Sequence, residues 1–579
     1  MKDTLFTRLL NYYHISEDDY LEKTRDVSIS NFALGHEFKR MDEAVNLVKE
    51  AIKNKDKIFI YGDYDADGIM STSIITKSLL ILGVIPLYYI PNRYNDGYGI
   101  NLTKSEEIVN KGVKLVITVD NGISANEPID YLKEHGVKVL VLDHHSVPEV
   151  VPNADVIIHP SYSEFGEVAT SAGFVSFMFA WALLGRFDKY LATLASISLI
   201  SDMMPLLEYN RDFLRLIFAN YRDGEFYNID FLKEDMKFDE VAIGMKIAPK
   251  INALGRLLDD ETINYVVRFF VTQDHEKIDK IGNWIVNINE KRKQASKDSD
   301  NLAVDIKEDE PAILVVKDIK EGLLGLIANN LCSTYHKPTI VFTEERDGEC
   351  LKGSARAPEG FNVVDAFNYC SDLMVTSGGH ALAGGCSIKK IDFEKFKKKF
   401  YEFAKKTPIV VEEKEDIPLG LTEINEENYQ LIHSFSPFGE SWKAPIFRLK
   451  HIKTDSLLFS KSGEHIFREG RGVAHALVLE VGVEHRVRLP ALAGQLLEAA
   501  RQFGQLGLGV FILETPGRGG AVGVPGGRVA PVQAQQRQVG VGAGPHRRHA
   551  VVEALGRVHH RVDHAQFPFE RQRGVRGGG

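Results

Sequence analysis

Short apolar runs alternate with helical spacing along the first part of the chain, and each run stops at glycine or an acidic residue. Lys57–Tyr61 (KIFIY) ends at Gly62-Asp63, the pattern of a buried strand. Ser71–Leu82 has helical spacing and stops at Gly83, which predicts a helix with a glycine C-cap. Lys114–Val119 predicts a second strand, ending at Asp120-Asn121-Gly122. Ala125–His135 predicts a helix ending at Gly136, and Val137–Leu142 a third strand ending at Asp143-His144-His145. This βαβ rhythm predicts a parallel sheet covered by helices. Residues 171–271 read as mostly helical.

Residues 274–308 form a long charged stretch in which Ile278, Ile281, Trp284 and Ile285 mark one apolar face. An ordinary surface helix has this pattern too, but its place between two α/β segments favours a connector. A second α/β unit follows, with strand Ala312–Val316, helix Gly325–Tyr335, strand Thr339–Phe342 and a glycine-rich turn at 378–385. Residues 407–450 read as a linker into a third unit.

Composition changes this picture at one end only. The 579 residues are 44% hydrophobic and 26% charged, which excludes a wholly disordered chain. No apolar run is long enough for a bilayer and no signal core opens the chain, so a cytoplasmic protein without a membrane segment is expected. Four cysteines without a CxxC pair fit a reduced compartment. The net charge of −10 averages two unlike parts. From Ile466 onward there is no Lys, Ser, Asn, Tyr, Met or Trp, and 15 Arg stand against 8 acidic residues. That segment carries +7 and leaves −17 on the rest. It reads as a low-complexity Arg/Gly-rich tail, disordered or artefactual, with no packed domain over 466–579.

The candidate chemistry sits where strands are expected to end. GDYDADG supplies Asp63, Asp65 and Asp67, TVDNG supplies Asp120, LDHH supplies Asp143, His144 and His145, and SLISDMMPL supplies Asp202. In doubly wound sheets such loops converge outside the carboxyl ends of the strands. Taken singly, each piece is an ordinary turn or surface pair. Together they bring several carboxylates and imidazoles to one place, where cations must neutralise them. That donor set suits Mn²⁺ or Mg²⁺, and a pair of such ions is a recurring device for phosphoryl transfer.

GDYDADG, VDNG, DHH and SD-x-x-PL, in this order, resemble motifs I to IV of the DHH phosphoesterase superfamily, and VTSGGHALAGG resembles the GGH motif of a DHHA1 domain. The form of the first motif, the KINALGR segment and the connector resemble the RecJ branch. The resemblance implies an α/β architecture, with a DHH domain and its parallel sheet over 1–270 and a long connector helix over 271–308. A DHHA1 α/β domain over 309–406 would follow, then a linker with a truncated OB-fold over 407–465. It implies Asp65, Asp67, Asp120, His144 and Asp202 as metal ligands, Asp120 bridging two ions, with Asp63 as a further ligand and His145 as a close neighbour in catalysis. It implies substrate contacts from Arg93 and Tyr98 in PNRYNDGYGI, Asn252 and Arg256 in APKINALGRL, Ser354 and Arg356 in KGSARAPEG, and Gly379 and His380 in SGGHALAGG. The activity so implied is 5′→3′ exonuclease action on single-stranded DNA in repair and recombination, by a monomer working with a single-strand-binding protein and a helicase. A DHH–DHHA1 phosphodiesterase of short RNA or cyclic dinucleotides, or an inactive DNA-binding scaffold, are the alternatives. Lys250 stands where the branch usually has Arg, and Asn329-Asn330 where it has Ser-Arg, which removes one expected positive charge.

Overall fold

Strands β1 (Ile58–Tyr61), β3 (Leu115–Val119) and β4 (Lys138–Leu142) are buried at nearly every position, as continuous Val/Ile/Leu runs must be when helices cover both faces. With β2 (Leu87–Tyr89) and β5 (Val156–Ile158) they form a sheet ordered β2-β1-β3-β4-β5, parallel throughout. The adjacency of β1, β3 and β4 sets the loops after all three side by side. The computed structural model of the chain describes residues 4–450 apart from 33–37, 164–168, 301–308, 346–347, 408, 410–414 and 424. Beyond Lys450 it describes four short strands.

The first helix after β1 is Ala66–Ile81, five residues longer at its start than its spacing predicts. Asp65 caps it, its side chain accepting from the Gly68 N–H at 3.0 Å. The helix is buried on almost all sides, so its first turn has no polar face to reveal a helical period. Helices Ala172–Leu184 and Lys189–Ser201 pack on it and are as thoroughly buried.

The connector helix runs His275–Asp300. Its Ile278, Ile285 and Ile288 enter the core of the first unit, with Ile281 and Trp284 packed beside them. The connector expectation over 301–308 lies outside the described residues. The second sheet has the order β6 (Ile313–Val316), β7 (Thr339–Glu344), β8 (Cys350–Arg356), β10 (Ala383–Lys389), β9 (Met374–His380). Helix Glu321–Tyr335 covers one face and Phe393–Lys406 the other.

Two expectations are corrected here. Residues 378–385 form a hairpin whose turn is confined to Ala381-Leu382, while the glycines belong to the facing ends of β9 and β10, with Gly379 opposite Gly384. Gly379 has φ +147°, and a Cβ there would lie 2.4 Å from the Ala383 carbonyl oxygen, so close strand approach requires the glycine. Residues 407–450 are not a free linker. Ile417, Leu419, Ile432, Phe435, Trp442 and Phe447 join the core of the first unit. Tyr13 stacks on Trp442 at 4.4 Å and on Phe435 at 5.2 Å, and Arg211 donates to the carbonyls of Phe435 and Pro437.

Strands β11 (Ile417–Leu419), β12 (Phe447–Lys450) and β16 (Phe511–Glu514) pair in parallel, while β13 (Leu457–Phe459), β14 (Ile466–Arg468) and β15 (His475–Leu477) form an antiparallel meander. An OB-fold joins five strands in one barrel; among the described residues these are two separate trios. Three short strands therefore stand within 466–579, and the rest of that segment lies outside the described residues. Among the described residues no helix is long and apolar enough to cross a membrane.

Candidate metal centre and the adjoining arginine cleft

Each acidic loop is held by backbone before any ligand arrives. Asp67 lies in the first turn of its helix and accepts from the N–H groups of Ala172 at 2.9 Å and Gly173 at 2.8 Å. Those amides open the helix Ala172–Leu184, whose dipole favours a negative charge there. The Ser198 hydroxyl adds a 2.6 Å bond to the same carboxylate. Asp120 adopts φ +60°, a strained conformation for a non-glycine residue and one that recurs at functional sites. The next residue secures the turn: Asn121 donates to the carbonyls of Tyr61, Gly62 and Val119, tying the β3 loop to β1.

Asp143 does not point into the cluster. It accepts from the N–H of Ile123, from the N–H groups of His144 and His145, and from His145 Nδ1 at 2.8 Å. Burial would raise its pKa, but these bonds pull it down to about 2. In return His145, which burial would lower, rises to about 8. His159 completes the loop by donating from Nε2 to the His145 carbonyl at 2.8 Å.

Around this frame the predicted ligands meet. His144 Nε2 lies 3.2 Å from Asp120 Oδ1 and 3.5 Å from both Asp67 Oδ2 and Asp202 Oδ2. Asp202 reaches in from the C-terminus of helix Lys189–Ser201. Asp63, Asp65 and Asp120 form a second group whose ligand atoms lie within 4.8 Å of one another, and Asp120 with His144 and His145 a third. Asp120 and His144 each belong to two of the three groups, and Asp120 is the one carboxylate among them that does. At such separations two carboxylates repel by about 3–4 kcal/mol even at an effective dielectric of about 20. Burial and this mutual repulsion raise the pKa of Asp63, Asp65 and Asp120, and bring Asp202 to about 8. Buried Asp63 Oδ1 and Asp202 Oδ2 have no hydrogen-bond partner. Orphaned anionic oxygens beside an imidazole are the environment that divalent cations fit, and the 3.2–3.5 Å spacing matches neighbouring corners around an ion with bonds of about 2.0–2.5 Å.

The predicted substrate residues fall into three places. Tyr98 is tied to the metal loops, its hydroxyl donating to the Asp120 carbonyl at 3.3 Å and lying 3.1 Å from the His145 ring nitrogens. Asn252 holds the first acidic loop through Oδ1, which accepts from the Ala66 N–H at 2.8 Å. Arg93, stacked 4.3 Å over the Tyr64 ring, and Arg256 stand beside the acidic loops where the two α/β units meet. Arg256 donates to the Gly322 carbonyl across that junction, and the Tyr94 hydroxyl donates to the Arg256 carbonyl. From the other side, Ser354 and Arg356 face helix Glu321–Tyr335, Arg356 donating to Ser354 Oγ at 3.3 Å. Burial first, then the guanidiniums of Arg93, Arg292 and Arg356, push Arg256 down to about 10, while Asp65 pulls the other way. Gly379 and His380 stand two strands from Arg356, where Ala383 pairs with both Arg356 and His380. Their strand is exposed.

Sequence reasoning did not identify Asn121, Ser198 and His159 as supports of the site. The N-cap signal of Ser171-Ala172-Gly173 before an apolar run marks the helix terminus that holds Asp67; nothing in the sequence pairs it with that carboxylate. Lys250 proves unrelated to the cleft, since its ammonium is buried against the Leu232 carbonyl and Glu234. Asn330 donates to Ser296 of the connector helix.

Known proteins similar to this chain share its two α/β domains. The DHH family, N-terminal domain, matches residues 57–200, and the DHHA1 domain matches residues 309–406. The single-stranded-DNA-specific exonuclease RecJ of Bacillus subtilis is 33% identical over 424 residues, 70% of this chain and 53% of the relative. The chain therefore spans about half the length of that relative. The Haemophilus influenzae protein of the same name is 30% identical over 504 residues, covering 80% of this chain and 86% of the relative. A crystal structure of exonuclease RecJ bound to manganese superposes with a TM-score of 0.57 at 26% identity, over 65% of this chain and 97% of that one. On these grounds the chain belongs to the RecJ family.

Proposed function

We propose that this chain is a metal-dependent exonuclease that hydrolyses single-stranded DNA from its 5′ end. The observation that carries the reading is the buried carboxylate–imidazole cluster set against the helix of Asn252 and Arg256, where Asn252 holds the first acidic loop and Arg256 reaches the second unit at the Gly322 carbonyl. The names of the relatives and the manganese-bound RecJ structure support it.

Two divalent ions, Mn²⁺ or Mg²⁺, would supply an activated water and neutralise charge growing on the phosphoryl oxygens. Asp65, Asp67, Asp120, His144 and Asp202, with Asp63, would hold them. Asp143 keeps His145 oriented toward the cluster, and Tyr98 closes over it. Arg256, Ser354 and Arg356 offer a fork of donors to the strand's terminal phosphate. Asn252, its Oδ1 already committed, has its amide nitrogen to offer. Anchoring the chain end beside the metal cluster gives the reaction its polarity. A single-strand-binding protein and a helicase as partners, and a monomer in the cytoplasm, belong to the same reading through the family resemblance.

The test compares Mn²⁺-dependent digestion of a single-stranded oligonucleotide, the matching blunt duplex and a dinucleotide. Rapid loss of the single strand with the duplex spared is expected. Equal digestion of the duplex, or a preference for the dinucleotide, would overturn the reading.

A further inference from the structure

The connector helix carries a charge that neither domain uses. Arg292 lies half-buried on His275–Asp300, its Nε donating to Asn289 Oδ1 at 3.0 Å, with Asn289 itself 2% exposed. One turn on, Ala295 packs against helix Glu321–Tyr335, and Ser296 accepts from Asn330 of that helix. Leu257, the residue after Arg256, packs against the same apolar cluster as Ala295, and its helix Ala248–Leu257 packs on the connector. Arg292 stands three and four residues before Ala295 and Ser296, hence on the face of the connector that meets helix Glu321–Tyr335, beside the junction where Arg256 donates to the Gly322 carbonyl.

Among the described residues, none of Arg93, Arg256, Arg292 and Arg356 forms an ion pair; Arg211 and Arg215 form none either, but each donates to three backbone carbonyls, while Arg256 has one and Arg292 only the Asn289 amide oxygen. Like charges crowded in a partly desolvated place repel, and a fold tolerates them when an anion arrives to be shared. The ordinary reading of KRK on a long helix is a solvated face. Lys291 and Lys293 fit that reading, both exposed and Lys293 paired with Glu290 at 2.7 Å. Arg292 does not.

We propose that Arg292 is a third guanidinium contacting the terminal phosphate, so that the connector helix, together with the domains on either side of it, takes hold of the strand's end. This rests on the function proposed above. It also gives the connector a role in sensing the substrate, because an anion shared by Arg256, Arg356 and Arg292 pins both domains and their tether together.

The test measures binding of 5′-phosphorylated and 5′-hydroxyl oligothymidylate by fluorescence anisotropy in chelator, where no cleavage occurs. Arg292→Gln is expected to weaken binding of the phosphorylated strand by roughly tenfold, with little effect on the hydroxyl strand. Arg292→Lys should recover part of the loss, and Lys291→Gln, on the exposed neighbour, should change neither. Equal weakening of both strands in R292Q and R292K, or no weakening at all, would overturn the proposal. A wild-type protein that binds these strands but cleaves none with Mn²⁺ present would sink the exonuclease reading and leave the Arg292 proposal standing.

Discussion

The carboxylate cluster and the arginine cleft are two gatherings of like charge in partly desolvated surroundings, and they are stabilised differently. The carboxylates are preorganised. Asp67 is bonded to two helix amides and a hydroxyl, Asp143 to three amides and an imidazole, and Asp120 is fixed in a strained turn. The arginines rest on fewer supports: an aromatic face under Arg93, a single carbonyl for Arg256, and the Ala355 carbonyl with the Ser354 hydroxyl for Arg356. A centre that places ions for chemistry needs fixed geometry before the substrate comes. A cleft that grips a moving chain end needs charge more than rigidity. The two also divide between the units, since the carboxylates all belong to the first sheet and its helices, while the arginines are drawn from both units and the connector.

If that division is right, damage to the first cluster should fall on kcat and damage to the second on KM. The largest effect is expected for Asp120→Ala, which removes the carboxylate common to two ligand groups. It should lower kcat by more than about 10³-fold, with DNA binding in chelator preserved. Asp143→Asn should cost roughly 10–100-fold and raise the Mn²⁺ concentration needed for half-maximal rate, because it frees the His144–His145 turn without deleting a ligand. Arg356→Gln should raise KM for a 5′-phosphorylated strand by about tenfold and leave kcat nearly unchanged. A kcat effect from Arg356→Gln, or a pure KM effect from Asp120→Ala, would break the division.

The smallest effect is thermodynamic. Asp202, with its pKa raised to about 8, holds a proton in the metal-free folded protein that the unfolded chain has already released at neutral pH. The metal-free fold therefore loses stability as pH rises from about 4 toward 8. Mn²⁺ should reverse this, so the gain in melting temperature on adding Mn²⁺ should be greater at pH 8 than at pH 6. A gain independent of pH would mean that the carboxylates are not the ions' ligands.

Much of the first cluster was legible because each ligand follows an apolar run, and parallel strands end on one side. The order of the strands, which sets β1, β3 and β4 side by side, is what makes three separate motifs one site. The supports were less legible. Asn121 looks like a turn residue until its three carbonyl partners are seen, and no local signal links Ser198 to Asp67. The glycines of SGGHALAGG suggest a turn because composition cannot separate a turn from strands in close approach. Arg292 was hidden by its lysine neighbours, since helical periodicity reports a helix's own apolar face and not which cation meets an arginine on another helix. The docking of residues 417–447 on the first unit depends on Tyr13 and Arg211, far away in sequence, which no local pattern reveals.

The central claim is that the metal cluster and the terminal-phosphate cleft act on one strand from its 5′ end. The most direct measurement follows Mn²⁺-dependent digestion of the same single strand labelled at its 5′ or its 3′ end. The account predicts that the 5′ label leaves at once as a mononucleotide, while the 3′ label persists in a ladder of shortening strands and chelator stops both. Release of the 3′ label first, or digestion that continues in chelator, would contradict it.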